Sequence, residues 1–213
     1  MSIAAHLTRA AAFAIGAASL SACAGSYTGP IEVTRFVAER PTVIGDMLGQ
    51  GTITLDFPDE MQNQSARNAF AAAIADELAA LGYTVVLDGS AEAAQLATVR
   101  TSRNPLASEN SRGPVSVGVG GSTGSYGSGV GLGIGINLGG GQNGPTVLTD
   151  LAVRISVVGG ETLWEGRAQQ PVSIRSPYAD VDASARTLAA ALFKDFPGGN
   201  GETVTIDVDQ LQE

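Results

Sequence analysis

The sequence has very few of the side chains that perform nucleophilic or metal chemistry. Its 213 residues include one cysteine (Cys23), one histidine (His6) and one lysine (Lys194). A single cysteine excludes an intramolecular disulfide. If the segment before Cys23 is removed, no imidazole remains, which excludes Ser-His-Asp and Cys-His catalysis and the common zinc sites. No Gly-rich loop precedes Lys194, so a phosphate-binding loop is also excluded. We therefore expect no enzyme, no catalytic residue, no cofactor and no metal.

The N-terminal segment has the layout of a bacterial secretory signal peptide. Arg9 precedes an uninterrupted small and apolar run at residues 10–20, and small residues follow directly before Cys23. The run is too short for a spanning helix, which needs about 20 residues. We therefore predict that residues 1–22 are a signal peptide.

The residues around the predicted cleavage point resemble the lipobox of bacterial lipoproteins. They read Leu20-Ser21-Ala22-Cys23, and the resemblance implies that Cys23 is acylated and becomes the first residue of the mature chain. Ala24, and not an aspartate, follows the cysteine. In lipoproteins of this kind that residue implies the outer membrane, with the protein facing the periplasm.

The charge of the mature chain restricts its partners. All 21 acidic residues lie after residue 22, whereas Arg9 is lost from the 12 basic ones, so the net charge becomes −10. Such a chain is repelled by nucleic acid and by anionic lipid headgroups. The predicted membrane attachment therefore comes from the lipid on Cys23, and nucleic-acid binding is excluded.

Residues 31–213 are predicted to form a single α+β domain, joined to the lipidated cysteine by a polar tether at residues 23–30. Strands are predicted over 31–38, 51–57, 83–87, 96–101, 147–158, 161–169 and 203–208, and helices over 65–81 and 182–196. Gly82 caps the first helix, on which Asp76 and Glu77 are predicted to face solvent. The order of elements predicts a predominantly antiparallel sheet with both helices packed on one face.

A glycine-rich segment at residues 113–144 interrupts this pattern. Val115, Val117 and Val119 alternate with serine and glycine. A second run alternates with glycine and asparagine and carries Val130, Leu132, Ile134, Ile136 and Leu138. Two runs of period 2 separated by turn residues predict a long Gly-rich β-hairpin with one branched face and one nearly bare face.

Three roles remain open for this predicted hairpin. The favoured interpretation is that it folds over its own sheet or stays mobile. Alternatively, its second run is a surface for an envelope protein partner or for self-association. Membrane insertion is the third possibility, because the run has about the length of a transmembrane strand, roughly 9–11 residues. Insertion would require several copies to close into a barrel.

Six segments, in their order along the chain, together resemble a known family. They are residues 33–36, 81–83, the Gly-rich segment, 151–155, 163–168 and 193–197, and they follow the lipobox at residues 20–23, which is part of the same resemblance. The family is that of bacterial envelope lipoproteins known as domain of unknown function 4136, and the resemblance covers essentially the whole mature chain. It implies an α+β domain tethered to the envelope. The family has no established activity, so the resemblance implies no catalytic residue.

Three other patterns resemble binding sites. Gly139, Gly141 and Gly144 match the spacing of a dinucleotide-binding loop, but the pattern leads into Pro145 and a strand where a helix is required. Trp164, with Glu165 and Arg167, is interpreted as a core tryptophan between exposed charges and not as a recognition spot. The acidic group Asp56, Asp59 and Glu60 lacks the spacing of a calcium loop and is interpreted as a solvated turn.

Three functions follow from the sequence. The favoured one is a non-catalytic, lipid-anchored envelope protein that acts as an interaction or accessory module. The alternative is an oligomeric ring- or pore-associated lipoprotein that assembles through the Gly-rich hairpin. The least favoured is a carboxylate-dependent glycan hydrolase, which needs only two acids held at the right separation.

Overall fold

Two helices and seven strands make up the regular structure of the described chain. The computed structural model describes residues 26–38, 47–58, 63–86, 93–106 and 145–211. The strands are β1 (Ile31–Val37), β2 (Thr52–Asp56), β3 (Thr84–Val86), β4 (Gln95–Leu106), β5 (Thr146–Val157), β6 (Thr162–Ser173) and β7 (Thr203–Ile206). The helices are α1 (Gln64–Ala80) and α2 (Val181–Phe193), with short 3₁₀ turns at Pro177–Ala179 and Val208–Leu211.

The seven strands form one sheet in the order β3-β2-β4-β5-β6-β1-β7. β2 pairs in parallel with β3 and β4, and the other neighbouring strands are antiparallel. The prediction of an α+β fold with a predominantly antiparallel sheet and two helices is therefore confirmed. The longest ladder joins β4 to β5, from the Gln95–Val157 pair to the Leu106–Thr146 pair.

One face of the sheet packs against the helices and forms the core. Side chains alternate across a strand, so every second residue of β1, β4, β5 and β6 faces inward. Fully buried members of this core include Ile31, Val33, Ala97, Leu151, Ile155 and Trp164 from the sheet and Ile74, Leu78, Leu188 and Leu192 from the helices. α1 contacts α2 and β3, and α2 contacts β1, β5 and β6.

Both ends of α1 are capped, by a side chain at the N-terminus and by a glycine at the C-terminus. The Asn63 side chain accepts hydrogen bonds from the backbone N–H groups of Ser65 and Ala66. At the other end Gly82 adopts φ +108°, and a Cβ there would lie 2.6 Å from the carbonyl oxygen of Gly49. Glycine is needed at this position for both reasons, which confirms the predicted cap.

β4 is longer than predicted, because it continues through Asn104 and Pro105 to Leu106. The prediction stopped at Thr101, since these residues are typical of a loop. β2 pairs only with the first part of β4, up to Thr98. Beyond that residue no other described strand pairs with β4 on the side away from β5, and proline within a sheet is tolerated on such an edge.

α2 ends at Phe193 and not at Phe196 as predicted. The backbone leaves the helical region at Lys194, where ψ is 130°, and Asp195 follows with φ 56°. The carbonyls of Ala191 and Leu192 accept hydrogen bonds from Arg35. A side chain from β1 therefore replaces the next backbone donors and ends the helix.

β6 contains an irregularity that the sequence pattern concealed. The register shifts between Ile155 and Ser156, so that Ile155 pairs with Trp164 and Ser156 with Thr162. The extra residue, Leu163, is buried next to the buried Trp164. A bulge of this kind lets two consecutive side chains join the core, which strict alternation does not allow.

Several predicted features lie outside the described residues. They are the signal peptide, Cys23, the Gly-rich hairpin at residues 113–144 and its candidate interaction residues Val130, Leu132, Ile134, Ile136 and Leu138. Among the helices that the structure describes, none combines the length and the apolar character needed to cross a bilayer.

Candidate interaction surfaces

The sheet face opposite the helices carries rows of polar side chains. We call it the open face; within the described ranges, neither helix contacts it. Strand pairing aligns its residues in rows that cross the sheet. The rows are Glu32–Gln169–Asp150–Ser102, Thr34–Arg167–Ala152–Arg100 and Phe36–Glu165–Arg154–Thr98. Phe36 is 50% exposed on this face.

Asp150 is the best-connected acid of the open face. Its Oδ2 accepts a hydrogen bond from Arg167 Nε at 2.7 Å and another from Gln169 Nε2 at 2.5 Å. Arg167 also forms an ion pair with it at 2.6 Å, and the Asp150 side chain is only 11% exposed. Because its charge is paired and hydrogen-bonded, this carboxylate is accommodated on a nearly buried position.

A second ion pair crosses the same two strands. Arg154 Nε donates to Glu165 Oε2 at 3.2 Å, and both side chains are nearly half exposed. Ala152 lies between the arginines of neighbouring strands, where its small side chain leaves a shallow depression of about 180 Å³. The depression is lined by Thr98, Arg100, Ala152, Val153, Arg154 and Glu165.

The two acids of these ion pairs are both engaged by neighbouring arginines. Asp150 pairs with Arg167 and Glu165 with Arg154. Among the described residues, no three His, Cys, Asp or Glu side chains are grouped as metal ligands. What the open face offers is alternating charge, hydroxyl groups and one exposed aromatic ring.

Trp164 lies on the opposite, buried face, which confirms its interpretation as a core residue. It is fully buried, and its Nε1 donates to the carbonyl oxygen of Pro197 at 2.9 Å. Its ring stacks on Phe193 at 5.5 Å and contacts Phe196 at 5.2 Å between centroids. Gly166 packs directly against this ring. A Cβ at that position would come within 2.7 Å of Cζ2 of the tryptophan, so only glycine fits.

Arg35 is a buried charge that the sequence analysis missed. Its Nε donates to Leu192 O and one of its terminal nitrogens to Ala191 O, both at 2.9 Å. Burial lowers the pKa of its guanidinium, and the negative charge of Asp195 opposes that effect. The sequence did contain a signal for the burial of Arg35, since the alternation that buries Ile31 and Val33 extends to it.

Three of the segments that resemble the family meet around Trp164 and Arg35. Residues 33–36 supply Arg35, residues 163–168 supply Trp164 and Gly166, and residues 193–197 supply the two phenylalanines and the proline carbonyl. Gly201 N–H also donates to the Arg35 carbonyl at 2.8 Å. These three segments are far apart in the chain, and what brings them together is packing in the core.

The tether predicted at residues 23–30 is described from Ser26 onward, and its last residues pair with the sheet. Ser173 N–H donates to Tyr27 O, and Gly29 N–H donates to Pro171 O, both at 2.8 Å. The Thr28 and Ser176 hydroxyls are hydrogen-bonded at 2.7 Å. These residues therefore continue β1 alongside the end of β6.

The remaining acidic candidates do not form a site. Asp56 is exposed at the end of β2, whereas Asp59 and Glu60 lie outside the described residues. Asp76 is exposed as predicted, but Glu77 is partly buried. Burial raises the pKa of the Glu77 carboxyl, and the charge of Asp76 raises it further. The prediction that Glu77 faces solvent is therefore wrong.

Comparison with known proteins gives only distant similarities. No protein-family model matches the chain, and no curated protein matches it. A PDZ domain protein from Parabacteroides distasonis is 16% identical, with a TM-score of 0.48 and 85% of this chain covered. The chain spans 38% of the length of that protein.

Two PelC dodecamers from Paraburkholderia phytofirmans are also similar. One is 13% identical with a TM-score of 0.41, and the match covers 76% of this chain and 93% of that one. The other, a point variant, is 14% identical with a TM-score of 0.36 and covers 76% and 92%. Similarities at this level carry no conclusion about function, and family membership stays a prediction.

Proposed function

We propose that this chain is a non-catalytic cell-envelope protein that acts as an interaction or accessory module at the periplasmic face of the outer membrane. Acyl chains on Cys23 hold it there. The observation that carries the proposal is the sequence Leu20-Ser21-Ala22-Cys23 at the end of a short apolar run. Folded structure begins soon afterwards, since residue 27 already pairs with β6.

The open face supports binding in preference to hydrolysis. A glycosidase of the two-carboxylate type needs one protonated and one charged carboxyl facing a cleft. Asp150 and Glu165 are instead held by arginines, Asp150 at a nearly buried position and Glu165 at a nearly half-exposed one. Paired charges on two neighbouring strands, together with the exposed Phe36 ring, form a surface that suits a protein partner.

Metabolic labelling with palmitate tests the anchor. We expect label on the wild-type chain, and none on Cys23→Ser, which should leave the membrane fraction. We also expect Ala24→Asp to move the labelled protein from the outer to the inner membrane fraction on a sucrose gradient. An unlabelled wild-type chain, or Cys23→Ser sedimenting equally with membranes, would contradict the proposal.

Assembly as a ring- or pore-associated lipoprotein is the second candidate. It is favoured by the alternating run at residues 130–138, which has about the length of a transmembrane strand, roughly 9–11 residues. It predicts oligomers in detergent extracts that disappear when Ile134 and Ile136 are changed to aspartate. Light scattering that finds only monomer would remove this candidate, whereas crosslinking in intact cells followed by mass spectrometry identifies the partners of an accessory module.

A further inference from the structure

Three strand ends and the start of the described chain meet at one end of the sheet. Leu106, the last residue of β4, pairs with Thr146, the first residue of β5, and Thr146 pairs with Ser173 at the end of β6. Ser173 N–H in turn donates to Tyr27 O. We call this row the anchor end, because it is the part of the sheet nearest in sequence to Cys23.

The connection between Cys23 and the anchor end is short. Residues 27–30 are fixed by backbone hydrogen bonds to β6, so only the four peptide units from Cys23 to Tyr27 separate the cysteine from the sheet. Four extended residues reach about 14 Å at most. If Cys23 is acylated, which is the proposed function on which this inference rests, the anchor end cannot leave the vicinity of the bilayer surface.

We infer that the anchor end lies against the phospholipid headgroups of the bilayer that holds Cys23. The loop after β6 supplies the contact. Ile174 is 52% exposed there although it is a large apolar residue, and Arg175 next to it is exposed. Tyr27 and Tyr178 are partly exposed at the same end. Tyrosine is enriched at membrane–water interfaces, and arginine places its charge among headgroups.

Hydrogen bonds hold this loop in a defined shape. One terminal nitrogen of Arg103 donates to Ala179 O at 2.6 Å, and Ile174 N–H donates to Pro145 O at 3.1 Å. Tyr178 N–H donates to the Ser176 hydroxyl oxygen at 3.2 Å. Ile174 and Arg175 are therefore presented by a loop that is tied to β4, β5 and the N-terminal residues together.

Asp180, the first acidic residue that follows this loop in sequence, is exposed but hydrogen-bonded to the start of α2. Asp180 caps α2, and its Oδ1 accepts hydrogen bonds from the N–H groups of Asp182 and Ala183 at 3.0 and 3.2 Å. The positive end of the helix stabilises this charge. Its repulsion from anionic headgroups is thereby reduced, and Arg175 remains the exposed charge next to Ile174.

The opposite end of the sheet provides a matched control. Val158, in the turn between β5 and β6, is 54% exposed, which is nearly the exposure of Ile174. The two positions are separated by the length of β5, whose 12 residues span about 40 Å. A probe at Val158 should therefore remain far from the bilayer when the anchor end lies against it.

The experiment uses the full chain purified from membranes with its lipid. Ile174→Cys and Val158→Cys each introduce the only free thiol, because the sulfur of Cys23 is bonded to the lipid in the proposed protein. Each thiol is labelled with an environment-sensitive fluorophore, and the protein is reconstituted into vesicles of phosphatidylethanolamine and phosphatidylglycerol that contain a headgroup-linked quencher. The fluorescence of Trp164 verifies that both variants are folded, and the intact mass reports acylation of Cys23.

We expect the quencher to reduce the emission of the probe at position 174 and to leave that at position 158 unchanged. If the quencher leaves the emission of both probes unchanged on protein whose mass shows the lipid, the proposed orientation is wrong and the anchor stands. Stronger quenching at position 158 would do the same. A mass without lipid would overturn the proposed anchor and the inference together.

Discussion

Arg35 on β1 caps the C-terminus of α2 by donating from Nε to the carbonyl oxygen of Leu192 at 2.9 Å. A second bond reaches Ala191 O at the same distance. The last carbonyls of a helix have no partner within the helix, and a positive charge at this end interacts favourably with the helix dipole. One buried side chain therefore joins the sheet to the helix that covers it.

Removing this cap should destabilise the domain. We expect Arg35→Met to lower the free energy of unfolding by about 2–4 kcal/mol, since two charge-assisted hydrogen bonds are lost and two carbonyls are left without donors. Arg35→Lys should lose less, because one ammonium retains the charge but not the two-pronged geometry. Urea unfolding followed by Trp164 fluorescence measures both. A loss for Arg35→Met no larger than that of the exposed control Arg154→Met would contradict the assignment.

The two ion pairs of the open face should differ in strength. We expect Asp150→Asn to cost about 1–2 kcal/mol, because it removes the charge that a nearly buried site was arranged to bind. Glu165→Gln should cost less than about 0.5 kcal/mol, since exposed pairs contribute little. Chemical denaturation in low and high salt checks this. Salt should change the small effect at Glu165 more than that at Asp150, and equal costs at the two positions would disprove the distinction.

Glu77 should make stability depend on pH in a predictable direction. Burial, and then the charge of Asp76, raises the pKa of its carboxyl above the ordinary value of 4.5. A group whose pKa is higher in the folded state stabilises the fold below 4.5, and this contribution is lost as the pH rises through the folded-state pKa.

We therefore expect Glu77→Gln to raise the urea midpoint at neutral pH and to leave it unchanged at pH values well below 4.5. Glu202, exposed before β7, supplies the variant Glu202→Gln, which removes the same charge from an exposed position. A Glu77→Gln variant that is less stable than wild type at neutral pH would refute the reasoning.

Replacing residues 107–145 with Asn-Gly should leave the domain folded. Leu106 and Thr146 are cross-strand partners, and a two-residue turn of this type suits neighbouring antiparallel strands. We expect the free energy of unfolding, measured with urea, to change by no more than about 1 kcal/mol. We also expect the variant to lose the partners that the full chain captures from cells. A folded variant that retains those partners would place the binding surface elsewhere, with the open face as the next candidate.

The sequence predicted those parts of the fold in which local pattern and tertiary packing agree. The strands predicted over 31–38 and 147–158, the helix predicted over 65–81 and its cap at Gly82 all match the structure to within about one residue at each end. Each of these signals is contained within a few residues, so it needs no knowledge of the neighbouring strands.

Other features could not be predicted because their cause is distant in sequence. Pro105 is part of a strand only because β5 pairs with it and β2 ends earlier. α2 stops at Phe193 partly because a side chain more than 150 positions earlier binds its carbonyls. Likewise, the bulge that buries Leu163 depends on the register of β5. A sheet face without helices was predicted, but the rows of charges that cross it were not, since they depend on the register between neighbouring strands.

The adjacency of Leu106 and Thr146 has a consequence for how such a protein can evolve. Insertions between two residues that are already neighbours do not move the strands that hold them, and the entropic cost of closing the connection grows only with the logarithm of its length, about 0.6 kcal/mol per doubling. Natural selection can therefore lengthen, shorten or exchange the connecting polypeptide while the scaffold keeps its own sequence requirements, so the two parts are free to diverge at different rates.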